Sequence, residues 1–156
     1  ASGSNSAFEA ARLRTEVAVQ AADGQGQRAW TRLDSLVRSR GFPGEMRLIE
    51  WPDALTEYAH LSFALGRYDD VRAAITRVRS RFASDSVAVN GSLRMASLQL
   101  LEARVQSATG ARDSAATTAA LAERALRVAV GETHRLTRAA ATLRDSLAGQ
   151  RVAASR

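Results

Sequence analysis

The stretch of sequence that decides the fold is Leu65-Gly66-Arg67-Tyr68-Asp69-Asp70-Val71. Gly66 can adopt the left-handed backbone conformation that ends a helix, and Asp69 or Asp70 suits the first turn of the next helix. On both sides, small or apolar residues recur at three- and four-residue steps, as on one face of a helix. These residues are Leu55, Tyr58, Ala59, Ser62 and Leu65 before the stretch, and Val71, Ala74, Ile75, Val78 and Phe82 after it. The sequence therefore predicts a helical hairpin with a short turn.

The same arrangement recurs along the chain. Gly24 separates a helix that starts near Ser6 from one that carries Trp30, Leu33 and Val37, and Gly110 separates a helix over about 86–108 from one over about 112–130. Gly149 follows a final helix over 132–149, which carries Leu136, Ala140, Leu143 and Leu147. The four glycines are 42, 44 and 39 residues apart. A recurring unit of this length is typical of a helical repeat array.

With the exception of Leu36, the residues at fixed distances from each turn glycine are small or β-branched. They lie seven residues before it (Val17, Ala59, Ala103, Thr142), five after it (Ala29, Val71, Ala115) and twelve after it (Leu36, Val78, Ala122). Small side chains at such positions allow paired helices to approach closely, so Ala59, Val71 and Val78 are expected to be buried. We expect an all-α fold of about seven helices, three antiparallel pairs plus one. This single domain covers 1–156, with units at about 6–41, 44–83 and 86–130 and a terminal helix at 132–149.

Two segments that contain proline mark boundaries. Gly41-Phe42-Pro43-Gly44 predicts a firm helix stop. Trp51-Pro52-Asp53 either starts the third helix, with Pro52 in its first turn, or kinks a longer helix that begins at Glu45. Both interpretations fit the sequence.

The central turn resembles that of a tetratricopeptide repeat, with its glycine, aromatic, acidic pair and small residue in order over Leu65–Val71. Arg81-Phe82-Ala83-Ser84-Asp85-Ser86 is similar to the inter-repeat link of exported, lipoprotein-type tetratricopeptide proteins of bacterial envelopes. Ala83 stands where that link usually carries proline, and the units exceed the usual length of about 34 residues. The resemblance implies a right-handed α-solenoid that binds proteins through the first helix of each pair. The residues implied are Glu57, Tyr58, His60, Leu61 and Phe63, then Arg94, Gln99, Glu102 and Gln106.

The basic charge has two interpretations. The net charge is +6 and every positive side chain other than histidine is arginine. Arg72, Arg77, Arg79 and Arg81 would follow phosphates, and Arg12, Arg14 and Arg28 would extend the stripe, so an Arg-rich nucleic-acid-binding protein is the alternative function. However, no aromatic residues alternate with these arginines to stack on bases, and acidic residues are scattered among them. The balance favours mixed, solvated faces.

The residues needed for catalysis or metal binding do not occur together. The sequence has no cysteine, and its two histidines, His60 and His134, fall on different predicted helices. We find no metal-binding or nucleophile motif, and no carboxylate pair in an apolar setting. The sequence therefore predicts a non-enzymatic protein without cofactor or metal.

The function that remains is a protein-protein interaction or structural scaffold. A monomeric adaptor and a subunit that self-assembles into an extracellular or envelope filament both fit. End-to-end contact would join Ala139 and Val152 to Ala7, Phe8 and Leu13 of the next copy. No apolar run is long enough for a transmembrane segment. The polar start, Ala1–Ser6, resembles a chain after signal-peptide or lipoprotein cleavage and predicts a periplasmic, envelope-anchored or extracellular location, although an expression remnant or a fragment would look the same.

Overall fold

The computed structural model describes Glu16 and residues 23–39, 50–82 and 93–154. These residues form six helices and no strand: α1 (Gly26–Arg38), α2 (Glu50–Ala64), α3 (Tyr68–Phe82), α4 (Leu93–Ala108), α5 (Arg112–Val130) and α6 (Arg135–Ala154). The prediction of an all-helical chain is confirmed over this part of the sequence. The predicted helix that starts near Ser6 lies outside the described residues, except for Glu16, which is helical.

Contacts divide the chain into two compact units, Ala1–Val78 and Arg79–Arg156. The first contains α1, α2 and most of α3, whereas the second contains the end of α3 and the helices α4 to α6. The expected single domain over 1–156 stays a prediction.

Two of the predicted hairpin turns, those at Gly66 and Gly110, have the same backbone structure. Gly66 and Gly110 have positive φ angles, 71° and 83°, which a residue with a side chain rarely adopts. In the first turn the backbone N–H of Arg67 donates to the carbonyl of Ser62 at 2.8 Å. In the second, the N–H of Ala111 donates to the carbonyl of Gln106, also at 2.8 Å. Together with the bonds from each glycine N–H, these form Schellman motifs, which satisfy the last carbonyls of the helix.

In the first unit, α1 packs against α2. Of the residues that share the register of the turn glycines, Ala29 on α1, Ala59 on α2, and Val71 and Val78 on α3 are completely buried there, whereas Leu36 is half-buried. Leu33 and Leu55 are also completely buried and provide most of the apolar volume. The predicted core face of the central hairpin is therefore confirmed.

In the second unit, α5 packs against both α4 and α6. The core cluster is built from Ala96, Leu100, Ala122, Leu126 and Ala140, with Leu136, Ala139 and Leu143 packed against it. Because alanines occupy many of the contact positions, the helices need little side-chain interdigitation to come close. The predicted α5 range, 112–130, matches the observed helix, Arg112–Val130.

The predicted end of the last helix is wrong. Gly149 lies within α6, which runs on to Ala154, and Thr142, expected at a close contact, is exposed. A single glycine costs a helix only about 1 kcal/mol relative to alanine, and no proline follows to stop it. Gly131, which precedes α6, does end a helix: it follows α5 directly and has a φ of 85°.

Pro52 is the third residue of α2 as the structure describes it, Glu50–Ala64. Its carbonyl accepts a 2.7 Å hydrogen bond from the Thr56 hydroxyl. Residues 40–49, including Glu45 and the predicted stop at 41–44, lie outside the described part of the chain, so both interpretations of Pro52 stay predictions. None of the described helices is long and apolar enough to cross a membrane.

Candidate protein-interaction surfaces

The predicted binding face of α2 is only partly accessible. His60 is exposed, Glu57 is half-buried, and the Phe63 ring is half-buried at 5.8 Å from the Tyr68 ring. Tyr58 and Leu61 belong to the core instead, with 3% and 8% of their surface exposed. Because most residues of α2 are buried or half-buried, its accessible surface is narrow. It consists of Asp53, Glu57, His60 and Ala64, at three- and four-residue steps.

Tyr58 is held by a polar network rather than offered to a partner. Its hydroxyl donates to Asp34 Oδ1 at 2.7 Å, and Arg38 Nε donates to the same oxygen at 2.6 Å. Arg38 also reaches Asp70 on α3, at 2.9 Å. Burial raises the pKa of Asp34, but the hydrogen bonds from Arg38 and Tyr58 outweigh it, so the pKa of this carboxyl is lowered overall. Burial and the hydrogen bond to Asp34 raise the pKa of Tyr58.

Trp30 on α1 packs against α2 and against the turn that follows α2. Its indole Nε1 donates to the buried Ser62 hydroxyl at 2.8 Å, and its ring stacks on Tyr58 with centroids 5.8 Å apart. The guanidinium carbon of Arg67 lies 3.8 Å from the centroid of the Trp30 ring, which is a cation–π contact. The indole N–H of Trp30 and the hydroxyls of Ser62 and Tyr58 are thus hydrogen-bonded inside the unit, so the cluster stabilises the fold.

The predicted binding residues on α4 are more accessible. Arg94, Gln99, Glu102 and Gln106 are all half-buried, and the last three share one face at three- and four-residue steps. Glu102 is paired with Arg79 at 2.6 Å, within the second unit. Gln106 Oε1 is buried without a hydrogen-bond partner among the protein atoms, so this amide retains an unused acceptor.

The residues proposed for self-association are mostly outside the described part of the chain. Ala7, Phe8 and Leu13 lie there, as does the side chain of Val152. Ala139 packs against the core cluster of its own unit. Along the described part of α6, the exposed face is polar, with Arg135, Arg138, Thr142 and Asp145.

The arginines proposed to follow phosphates are engaged within the protein. Arg72 pairs with Asp69 at 2.8 Å, Arg79 pairs with Glu102, and Arg77 donates to the carbonyl of Val37 at 3.2 Å. Arg28 contacts Gln25 at 3.3 Å, whereas Arg12, Arg14 and the side chain of Arg81 lie outside the described residues. The ion pairs of Arg72 and Arg79 reduce the positive charge that these two side chains would offer to phosphates.

The histidines and acids do not converge. His134 Nδ1 accepts the backbone N–H of Leu136 at 3.3 Å, where α6 begins, and His60 lies on α2 in the first unit. In the ranges that the structure describes, no three His, Asp or Glu side chains are grouped so that they could hold a metal ion.

Two features of α5 were not predicted from the sequence. Glu123 is 4% exposed and is held by Arg127 at 2.8 Å and by Arg144 of α6. On the opposite side of α5, Leu121 and Val128 are exposed by 42% and 82%. A helical wheel places both of them away from Ala115, Ala119, Ala122 and Leu126, and that spacing is the signal that could have shown them.

No protein-family model matches the sequence, and comparison with curated proteins gives no significant match. The repeat-like helical architecture is thus supported by the recurrence within the chain itself.

Proposed function

We propose that the chain is a tetratricopeptide-like helical repeat protein, a right-handed solenoid that binds other proteins and has no catalytic activity. The surfaces for binding are the accessible strips of α2 and α4. An exported location stays part of this hypothesis.

The observation that supports this proposal best is the recurrence of one hairpin at an offset of 44 residues. Gly66 and Gly110 both end a helix with the same hydrogen bonds and the same sign of φ. At the same offset, three pairs of contact residues are 0% exposed: Ala59 and Ala103, Val71 and Ala115, Val78 and Ala122. A unit that repeats its turn and its contact positions is built to stack on similar units, and such arrays present extended recognition surfaces.

The exposed chemistry of the two strips suits a protein partner. On α2 the strip carries two carboxylates and a histidine, Asp53, Glu57 and His60. On α4 it carries Gln99, Glu102 and Gln106, which offer amide and carboxylate groups. Neither strip is basic, and a phosphate backbone needs a basic surface. This is why we favour a protein over a nucleic acid.

Self-assembly is one form that this function would take. Helical arrays stack through their ends, and a contact that does not close gives a filament. The polar outer face of α6, with Arg135, Arg138 and Thr142, is better suited to contact with water than to an apolar joint. A monomeric adaptor is therefore the simpler form of the proposal.

Two measurements on the full chain test the proposal. Light scattering over a concentration series, at low and high salt, gives the mass in solution. Titration of a fluorescent DNA duplex at physiological salt measures binding to phosphates. We expect no duplex binding, and any assembly should persist at high salt because an apolar contact is not screened. A monomer whose affinity for the duplex falls steeply with salt would establish the nucleic-acid function instead.

A deletion distinguishes the adaptor from the filament. Removal of residues 1–13 takes away Ala7, Phe8 and Leu13, whereas the matched deletion of 1–6 keeps them. If the protein assembles end to end, only the longer deletion should abolish assembly, with most of the helical circular-dichroism signal retained.

A further inference from the structure

The described residues leave few large apolar side chains exposed, and all of them lie in the second unit. They are Leu93, Leu121 and Val128, and two of these three are on α5. Leu121 and Val128 are seven residues apart, so they lie above each other on one face of the helix. Thr117 and Arg124 are exposed on the same face. We call these four residues, Thr117, Leu121, Arg124 and Val128, the outer stripe of α5.

The outer stripe has no role in the packing of its own unit. The buried residues of α5 lie on the other side, at Ala115, Ala119, Ala122, Glu123 and Leu126. That side contacts both α4 and α6. With 82% of its surface exposed, Val128 contributes little to the core. The apolar groups of the stripe are thus free for an external contact.

Arg124 differs from the arginines that balance carboxylates along their own helices. Arg38 pairs with Asp34, Arg72 with Asp69, and Arg127 with Glu123, each three or four residues earlier. The corresponding neighbours of Arg124 are Ala120, Leu121, Arg127 and Val128, none of which is acidic. Within the described ranges no carboxylate is paired with Arg124. The stripe thus has a positive charge without a partner between two exposed apolar side chains.

We propose that the outer stripe of α5 docks an amphipathic helix of a partner protein, in which a carboxylate lies between two apolar side chains spaced by about one heptad. The partner's apolar residues cover Leu121 and Val128, and its carboxylate accepts hydrogen bonds from Arg124. This surface lies on the second helix of its hairpin, not on the first-helix strips named above. It rests on the proposed function, since it requires that the protein bind other proteins.

The charge of the stripe decides between possible occupants. A second copy that docked through the same stripe around a two-fold axis would place Arg124 against Arg124, and like charges at an interface are unfavourable. A nucleic acid would use Arg124 but would leave Leu121 and Val128 without apolar contacts. An acidic amphipathic helix satisfies all three side chains.

The test uses the full chain and two synthetic helical peptides that differ at one residue. Each peptide has two leucines seven residues apart, with glutamate between them in the acidic probe and lysine in the basic probe. Binding is measured by fluorescence anisotropy for the natural chain and for Arg124→Glu, Val128→Ser and Arg112→Glu. Arg112 is exposed on the same helix but lies outside the stripe, so Arg112→Glu makes the same charge change as a matched control.

We expect the natural chain to bind the acidic probe about tenfold more tightly than the basic probe, because the charges are complementary. Arg124→Glu should reverse this preference, Val128→Ser should weaken both probes, and Arg112→Glu should leave the preference unchanged. Circular dichroism checks that each variant is folded.

Several results would overturn the docking surface. They are equal or undetectable binding of the two probes, an effect of Arg112→Glu as large as that of Arg124→Glu, and no effect of Val128→Ser. A mass in solution that falls with Val128→Ser would show a second copy as the occupant. Displacement of the acidic probe by duplex DNA would show a nucleic acid. If the outer stripe binds neither probe, the chain can still bind protein through α2 and α4. A negative result for the stripe therefore leaves the proposed function standing.

Discussion

The hairpins α2–α3 and α4–α5 share a turn but differ in what they pack against. Both turns have a glycine with positive φ and a hydrogen bond that reaches back five residues. Both place a completely buried small or β-branched residue five positions after that glycine, Val71 in one and Ala115 in the other. The backbone plan is therefore common to the two hairpins.

The neighbouring contacts are chemically different. The first unit connects α1 to its hairpin with aromatic rings, as in the Trp30–Tyr58 stack, with the Trp30–Ser62 hydrogen bond, and with a charged network that includes the Arg38–Asp70 ion pair. The second unit connects α6 to its hairpin with small apolar residues around Ala140 and one buried ion pair, Glu123 with Arg144. We conclude that the repeat is defined by its turn geometry and its small contact residues. The chemistry by which each hairpin packs against its neighbouring helix differs between the two units.

The largest expected effect tests the shared plan. Val71→Asp and Ala115→Asp each place an unpaired charge at an equivalent buried position, so each should lower the free energy of unfolding by about 4 kcal/mol. Urea unfolding monitored by circular dichroism measures this. The matched controls are Ala73→Asp and Ser114→Asp, at exposed positions, which should change stability by less than about 0.5 kcal/mol. A nearly neutral Val71→Asp would mean that the buried face is wrongly assigned.

The parts of the fold that were predictable depend on local chemistry. The turn at Gly66 combines a glycine, an acidic pair and apolar periodicity on both sides, so several signals agree and the hairpin follows. The range of α5 was predictable for the same reason. Gly149 shows the opposite case, because a glycine within an otherwise helical pattern carries no stop signal of its own.

The binding surface was harder to predict because it depends on which sides of a helix are covered. Tyr58 belongs to the apolar stripe of its helix as well as to the binding face that the resemblance implies, and the structure buries both Tyr58 and Leu61. The partnership of Glu123 with Arg144 joins residues 21 positions apart on different helices. Such pairs are set by tertiary packing, which periodicity alone does not reveal.

The second prediction concerns the ion pairs that Glu123 forms with Arg127 and Arg144 in the second unit. Replacing both Arg127 and Arg144 by methionine leaves the Glu123 carboxylate buried without a cation, and this should cost about 3 kcal/mol of stability. Adding Glu123→Met should restore most of that loss, because an apolar side chain needs no counter-charge. Thermal and urea unfolding of the double and triple variants measure the difference. If the triple variant is no more stable than the double, the loss comes from packing of the arginine stems and not from an uncompensated charge.

The smallest expected effect concerns the polar joint of the first unit and its dependence on pH. The pKa of Asp34 is lowered: burial raises it, but the hydrogen bonds from Arg38 and Tyr58 outweigh that effect. Ionised Asp34 therefore stabilises the folded state at pH values above its unfolded pKa, and this contribution is lost as the pH falls through the folded pKa. Between about pH 5 and pH 2, the natural chain should lose more stability than Asp34→Asn, which has no carboxyl to titrate.

Tyr58→Phe removes one donor to the carboxylate, so it should cost about 1.5 kcal/mol near neutral pH and give an intermediate slope. Urea unfolding at several pH values measures all three chains, with Arg112→Glu, which changes a residue of the second unit, as a control. Parallel pH profiles for the natural chain and Asp34→Asn would show that the Asp34 carboxylate adds nothing to the joint, and the first unit would then be held by its aromatic packing alone.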